Sequence, residues 1–183
     1  MPRIVEELPY NGVLEKIERL GIVSLINEIR SLITEFQLLV EERKDSNGGA
    51  VVRKMLDARF AASRGWIKRK TGGIDWTKCV SVNGTKLCVG VEIQVSGRSD
   101  SGLVMDIIHL RRAISKGDID VGVIVAPTDE LADYLTDRAP SIKSAKMHVE
   151  EAKAEDLPLL LISLAHDGAG PPLPKQAKRS RKA

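Results

Sequence analysis

The sequence predicts an α/β domain with a mixed central β-sheet flanked by helices. Three observations carry that reading. The first third places apolar residues at helix spacing, and from residue 74 onward strand-like and helical runs alternate. Two of those strand-like runs, "IDVGVIVA" (119–126) and "LPLLLISL" (157–164), are apolar through most of their length, as central strands covered on both faces are. A chain of 183 residues suggests one domain with one substantial core.

The elements follow in order. "NGVLEKIERLGI" (11–22) is apolar at 13, 14, 17, 20 and 22, one face of a helix. "SLINEIRSLITEFQLLVEERK" (24–44) continues that spacing until "DSNGG" (45–49) breaks it. "AVVRKMLDARFAAS" (50–63) is a third amphipathic helix, and Gly65 ends it. Strands are expected at 74–82, 85–95, 119–126 and 157–164, and further helices at 101–116 and 128–138. This gives one domain over 1–168, mainly helical to residue 65 and α/β from 66 on. A flexible basic tail follows at 169–183, where Gly, Pro, Lys and Arg dominate.

Composition narrows the function classes. No apolar run reaches the roughly 18 residues of a membrane span, and acids stand where a signal peptide has its apolar stretch, so the cytoplasm is expected. Net charge is +3, with basic clusters "IKRK" (67–70) and "KQAKRSRK" (175–182), compatible with a polyanionic partner. His109, His148 and His166 are scattered without helix-spaced ligand partners, which argues against histidine-based metal chemistry. Two cysteines are too few for a disulfide scaffold or a cysteine zinc site.

The most informative stretch is "VNGTKLCVGVEIQVSG" (82–97). Asn83-Gly84 is a strong hairpin signal, because a type I′ turn requires positive φ at both central residues. A two-residue loop there pairs 82 with 85, so every pair sums to 167 and Asp75 stands opposite Glu92. Period two puts Gln94 on the Glu92 face, while Leu87, Val89, Val91, Ile93 and Val95 form an oily face on the other side. Two carboxylates directly opposite repel one another. A hard divalent cation such as Mg²⁺ removes that cost and leaves room for a phosphate oxygen. The plainer alternative is a half-exposed hairpin with polar residues facing water. The same register sets Cys79 opposite Cys88, where they could approach disulfide geometry, although reduced thiols are the expectation in a cytosolic chain.

"KRKTGGIDWTK" (68–78), "GVEIQ" (90–94), "KGDIDVGVIVAP" (116–127) and "YLTDR" (134–138) stand in the order and spacing of the BamHI-like type II restriction endonucleases, the group that includes BglII and BstYI. The chain resembles that group over about residues 48–165. The resemblance implies a PD-(D/E)xK, restriction-endonuclease-like fold and a homodimer cutting palindromic double-stranded DNA with Mg²⁺. Asp75 resembles the first metal-binding aspartate and Glu92 the second acid, with the Ile93 carbonyl as a further ligand. Gln94 stands where the wider superfamily has lysine; glutamine is what the BglII and BstYI branch carries. A neutral amide can orient a water but is no general base near neutral pH. Asp137 and Arg138 match a base-reading pair, suited to cytosine N4 and to guanine O6 and N7. Lys54 matches a DNA-contacting lysine. Arg98 and Ser99 fall where relatives place other base contacts; the serine matches the family, whereas Arg98 is this chain's own. The relatives' shared centre implies a GATC-containing site. Competing expectations are a structure-specific repair or junction nuclease, a DNA-binding module without catalysis, and a plain structural domain.

Overall fold

The structure, a computed structural model, describes residues 1–68, 73–96, 99–136 and 139–175. Six strands form the central sheet, in the order β1-β7-β6-β5-β4-β3. Its middle is parallel: β5 (Thr85–Ile93), β6 (Val121–Pro127) and β7 (Leu159–Ala165) run together. Antiparallel strands close both sides, β1 (Arg3–Pro9) against β7, and β4 (Trp76–Val82) then β3 (Ile67–Lys68) against β5. Helices cover both faces. The expected mixed sheet with flanking helices is therefore what the chain forms.

One face packs on α1 (Val13–Leu20), α2 (Val23–Thr34) and α3 (Gly49–Ala62). There Val89, Val91 and Ile93 of β5 meet Ile29 and Ile33 of α2 and Leu56 and Phe60 of α3, all buried. The oily face read from the sequence is this one. The other face packs on α4 (Ser99–Ser115) and α6 (Ile142–Glu151), where Leu103, Ile107 and Leu110 join Ile124 and Leu161. Alternation along β5 thus sends its even-numbered residues toward α4. Gly90 is one of them. A Cβ there would lie 2.9 Å from Ile119 Cδ1 and 3.0 Å from Ile74 Cδ1, so the close packing of Ile74 and Ile119 beneath Glu92 depends on a bare α-carbon.

Four expectations change. The second helix stops at Thr34 rather than 44. The apolar residues beyond it, Leu38 and Val40, are buried in extended chain, and β2 (Leu39–Val40) pairs in parallel with β8 (Gly168–Ala169). The segment read as a tail therefore begins ordered: Gly48 N–H donates to Leu173 O, and Leu173 N–H to Asn47 Oδ1. Residues 176–183 lie outside the described residues. The helix expected at 128–138 shortens to α5 (Asp129–Tyr134), because Leu135 turns extended to bridge Asn47. β1 and α6 were not anticipated. Finally, Cys79 and Cys88 form a disulfide rather than two thiols. Both the N–H and C=O of Cys88 bond to Asp120, so the cysteines are a non-hydrogen-bonded pair, the close kind, with Cα atoms 4.0 Å apart.

Candidate active site

The site grows from the hairpin. Asn83 and Gly84 have φ of 51° and 80°, the positive pair that a type I′ turn needs. The ladder then runs Val82↔Thr85 through Cys79↔Cys88 to Trp76↔Val91. One step further, Asp75 and Glu92 meet. Asp75 N–H donates to Glu92 Oε2 at 3.2 Å, and Ile93 N–H donates to Asp75 Oδ2 at 2.9 Å. Each carboxylate is thus tied to the backbone of the opposite segment, Glu92 to Asp75 N–H and Asp75 to Ile93 N–H.

Arg53 of α3 holds this corner. Its Nη2 lies 2.7 Å from Asp75 Oδ1, and Nη1 donates to the Ile93 carbonyl at 2.7 Å. Its Nε lies 3.1 Å from Asp57 Oδ1, one turn along the helix. Asp57 in turn accepts from Trp76 Nε1 at 2.9 Å and pairs with Lys68. Burial works against the Arg53 charge, but Asp75 and Asp57 outweigh it and keep the guanidinium firmly protonated.

Glu92 is 2% exposed. Across from it α4 brings Asp106 and His109, one turn apart on a single face. His109 Nδ1 stands 3.9 Å from Glu92 Oε1. The ligating atoms of Glu92, Asp106 and His109 all fall within 4.8 Å of one another, a grouping that can hold a metal ion. Among the described residues, Glu92 Oε1, Asp106 Oδ2 and His109 Nδ1 are buried without a hydrogen-bond partner. Burial pushes the Glu92 carboxyl up to about 11, reinforced by the nearby Asp106 and Asp75 charges. Burial likewise raises Asp106 to about 7, aided by Asp75 and opposed by Arg53. Such a cluster favours a proton or a cation, and its donors suit a divalent ion.

The remaining expected residues fall as follows. Gln94 is half-buried, and its N–H donates to Val125 O at 2.8 Å. Lys54 is exposed on α3 beside Arg53. Ser99 opens α4. Arg98, Asp137 and Arg138 lie outside the described residues. Arg53, Asp106 and His109 escaped the sequence reading; the last shows that histidine can reach the acidic site although its spacing signals nothing.

The sequence profile of the family described as "Restriction endonuclease BglII/BglIII" matches residues 17–164. The chain belongs to the BglII/BglIII restriction endonuclease family. Among solved structures, this family member is similar to restriction endonuclease BglII complexed with a DNA 16-mer. The TM-score is 0.63 at 13% identity, with 88% of this chain and 78% of that one covered. That likeness carries the fold. No curated protein matches in sequence. The family assignment makes the chain a BglII-like restriction endonuclease, a DNA nuclease. Among the described residues, no helix is long and apolar enough to cross a membrane.

Proposed function

We propose that the chain is a Mg²⁺-dependent, cytoplasmic type II enzyme that acts as a homodimer and hydrolyses one phosphodiester in each strand of a palindromic, GATC-containing duplex. The observation that carries this reading is the junction of Asp75 with a fully buried Glu92 at the end of the hairpin ladder. Two acids brought that close, one of them withdrawn from water, are costly to the fold and useful only to a cation or a proton.

Asp75, Glu92 and the Ile93 carbonyl would hold Mg²⁺. When bound, the ion lowers the pKa of a water and stabilises charge gathering on phosphorus. The chain's own groups do the rest. Arg53 bonds both the Asp75 carboxylate and the Ile93 carbonyl, and it would share or yield those oxygens to the ion. Gln94 orients the attacking water without taking its proton. Water attacks phosphorus in line with the departing O3′, leaving a 3′-hydroxyl and a 5′-phosphate. Lys54 contacts phosphate, and Arg98, Ser99, Asp137 and Arg138 read base edges, with Arg138 on guanine and Asp137 on cytosine. A homodimer matches a two-fold target with one subunit per strand. The DNA 16-mer bound by the similar BglII structure supports duplex DNA as the substrate.

Incubation of the purified protein with plasmid DNA and Mg²⁺, followed by sequencing of the ends, tests the proposal. Discrete fragments with a shared palindrome are expected, and Asp75→Asn should abolish them while DNA affinity stays salt-sensitive. A smear, or cutting confined to branched substrates, would replace it with the structure-specific reading. Binding without cutting would replace it with the inactive module.

A further inference from the structure

We infer that α4 builds a second cation position beside the proposed Mg²⁺ site, in which a ring nitrogen of His109 and a carboxylate oxygen of Asp106 join Glu92, and that it takes a divalent transition ion such as Mn²⁺ in preference to Mg²⁺ or Ca²⁺. The position deepens the nuclease reading, on which only its role depends.

The two oxygens of Glu92 face different neighbours. Oε2 accepts the Asp75 N–H, on the side of β4 and Arg53. Oε1 turns to α4, 3.9 Å from His109 Nδ1, beyond hydrogen-bond reach. Oε1 belongs to a side chain that is 98% buried, and it has no hydrogen-bond partner among the described residues. Asp106 Oδ2 and His109 Nδ1 share that condition, and the ligating atoms of the three side chains lie within 4.8 Å of one another. Buried polar atoms seldom go unpaired, and three converging on one point share the requirement. Two are carboxylate oxygens and one an imidazole nitrogen, a set that a single cation can answer at one point.

The donors decide which charge. Asp75 and the Ile93 carbonyl already have a cationic neighbour in Arg53, whereas among the described residues none stands at hydrogen-bond distance from the unpaired oxygens on the α4 side. Mg²⁺ and Ca²⁺ seek oxygen. A set of two carboxylates and one imidazole suits the softer first-row ions, with Mn²⁺ tolerant of both donor kinds. His109 also lines a cleft with Gly73, Arg112, Lys116 and Asp118, so one edge of its ring is open to solvent on that side. In phosphodiester hydrolysis two ions clamp the attacking and leaving oxygens, and Glu92 would be their shared ligand.

Pulsed EPR of the full-length protein with Mn²⁺, together with counting of bound ions, tests this directly. The wild type should show nitrogen hyperfine coupling of a directly bound imidazole. His109→Gln should lose it and weaken Mn²⁺ binding at that position at least roughly tenfold. Asp106→Asn should weaken binding similarly while keeping the nitrogen signal at saturating Mn²⁺, which preserves the test if His109→Gln does not fold. Oxygen-only coordination in the wild type, or a nitrogen signal that persists in a folded His109→Gln, overturns the inference. Asp75→Asn separates the two readings: it should stop Mg²⁺-supported cleavage yet keep the nitrogen coupling. A wild type that shows the coupling but cuts no duplex would sink the nuclease reading and leave the cation position standing.

Discussion

Replacing Glu92 by glutamine should make the metal-free protein more stable while ending cleavage. The carboxyl is buried beside Asp106 and Asp75, and its pKa rises from 4.5 to about 11. A group protonated in the fold but ionised in the unfolded chain contributes its full stability below the unfolded value. That contribution falls as pH rises through the folded one. Each pH unit above 4.5 costs about 1.36 kcal/mol, so by about pH 8 the ceiling is roughly 5 kcal/mol. An amide keeps the shape, needs no proton, and can donate to either neighbouring aspartate. With relaxation of the wild-type site, the expected gain is about 1–3 kcal/mol, or roughly 3–10 °C in Tm for a chain of this size. Thermal unfolding in chelator across the pH range measures it, and the gain should widen with pH. A Glu92→Gln protein that melts below the wild type at every pH would show that favourable contacts hold the carboxylate, and the account of the site as a strained acidic cluster would fail.

Arg53→Ala removes the counter-charge of Asp75 and Asp57 and should destabilise by about 3–5 kcal/mol in urea titration, with Arg53→Lys recovering only part. Asp106, raised to about 7, contributes most below 3.8 and loses that contribution as pH rises through 7. Asp106→Asn should therefore flatten the fall of Tm over that window in chelator. Gly84→Ala meets nothing within 4 Å, so its cost is the positive φ alone, about 1–2 kcal/mol by chemical denaturation. Reduction of the Cys79–Cys88 disulfide, which spans nine residues, should cost about 1–3 kcal/mol, read as a Tm drop with thiol mass spectrometry as the check.

The hairpin was legible because its turn chemistry and its strand period act within twenty residues of one another. Two glimpses sufficed, Asn83-Gly84 for the bend and the sum of 167 for the partners. The same locality hid the rest. Asp106 and His109 reach Glu92 only because α4 packs back over β5, and nothing in "GLVMDIIHLRR" separates an inward acid from a surface one. Arg53 sits between apolar Val52 and exposed Lys54, and only the crossing of α3 over the strand ends decides which cation meets Asp75. β1 escaped notice because "RIVEELP" is an edge strand whose two adjacent acids interrupt the apolar alternation, Glu7 being taken up by Arg30 of α2. The run after Thr34 misled because extended chain can bury Leu38 and Val40 at a spacing that also fits a helix. The family motifs supplied Asp75 and Glu92 from a second direction.

Asn47 has a wider reach than its size suggests. Its side-chain amide donates to the carbonyls of Glu41 and Tyr134 and accepts from the N–H groups of Glu41 and Leu173, while its own carbonyl takes the N–H of Thr136. Three distant stretches are riveted at one carbon, immediately upstream of the helix that carries Arg53 and immediately upstream of Asp137 and Arg138. An aspartate would forfeit the donors and a leucine everything, so this single amide makes the start of α3 and the chain around Tyr134 and Thr136 share one frame.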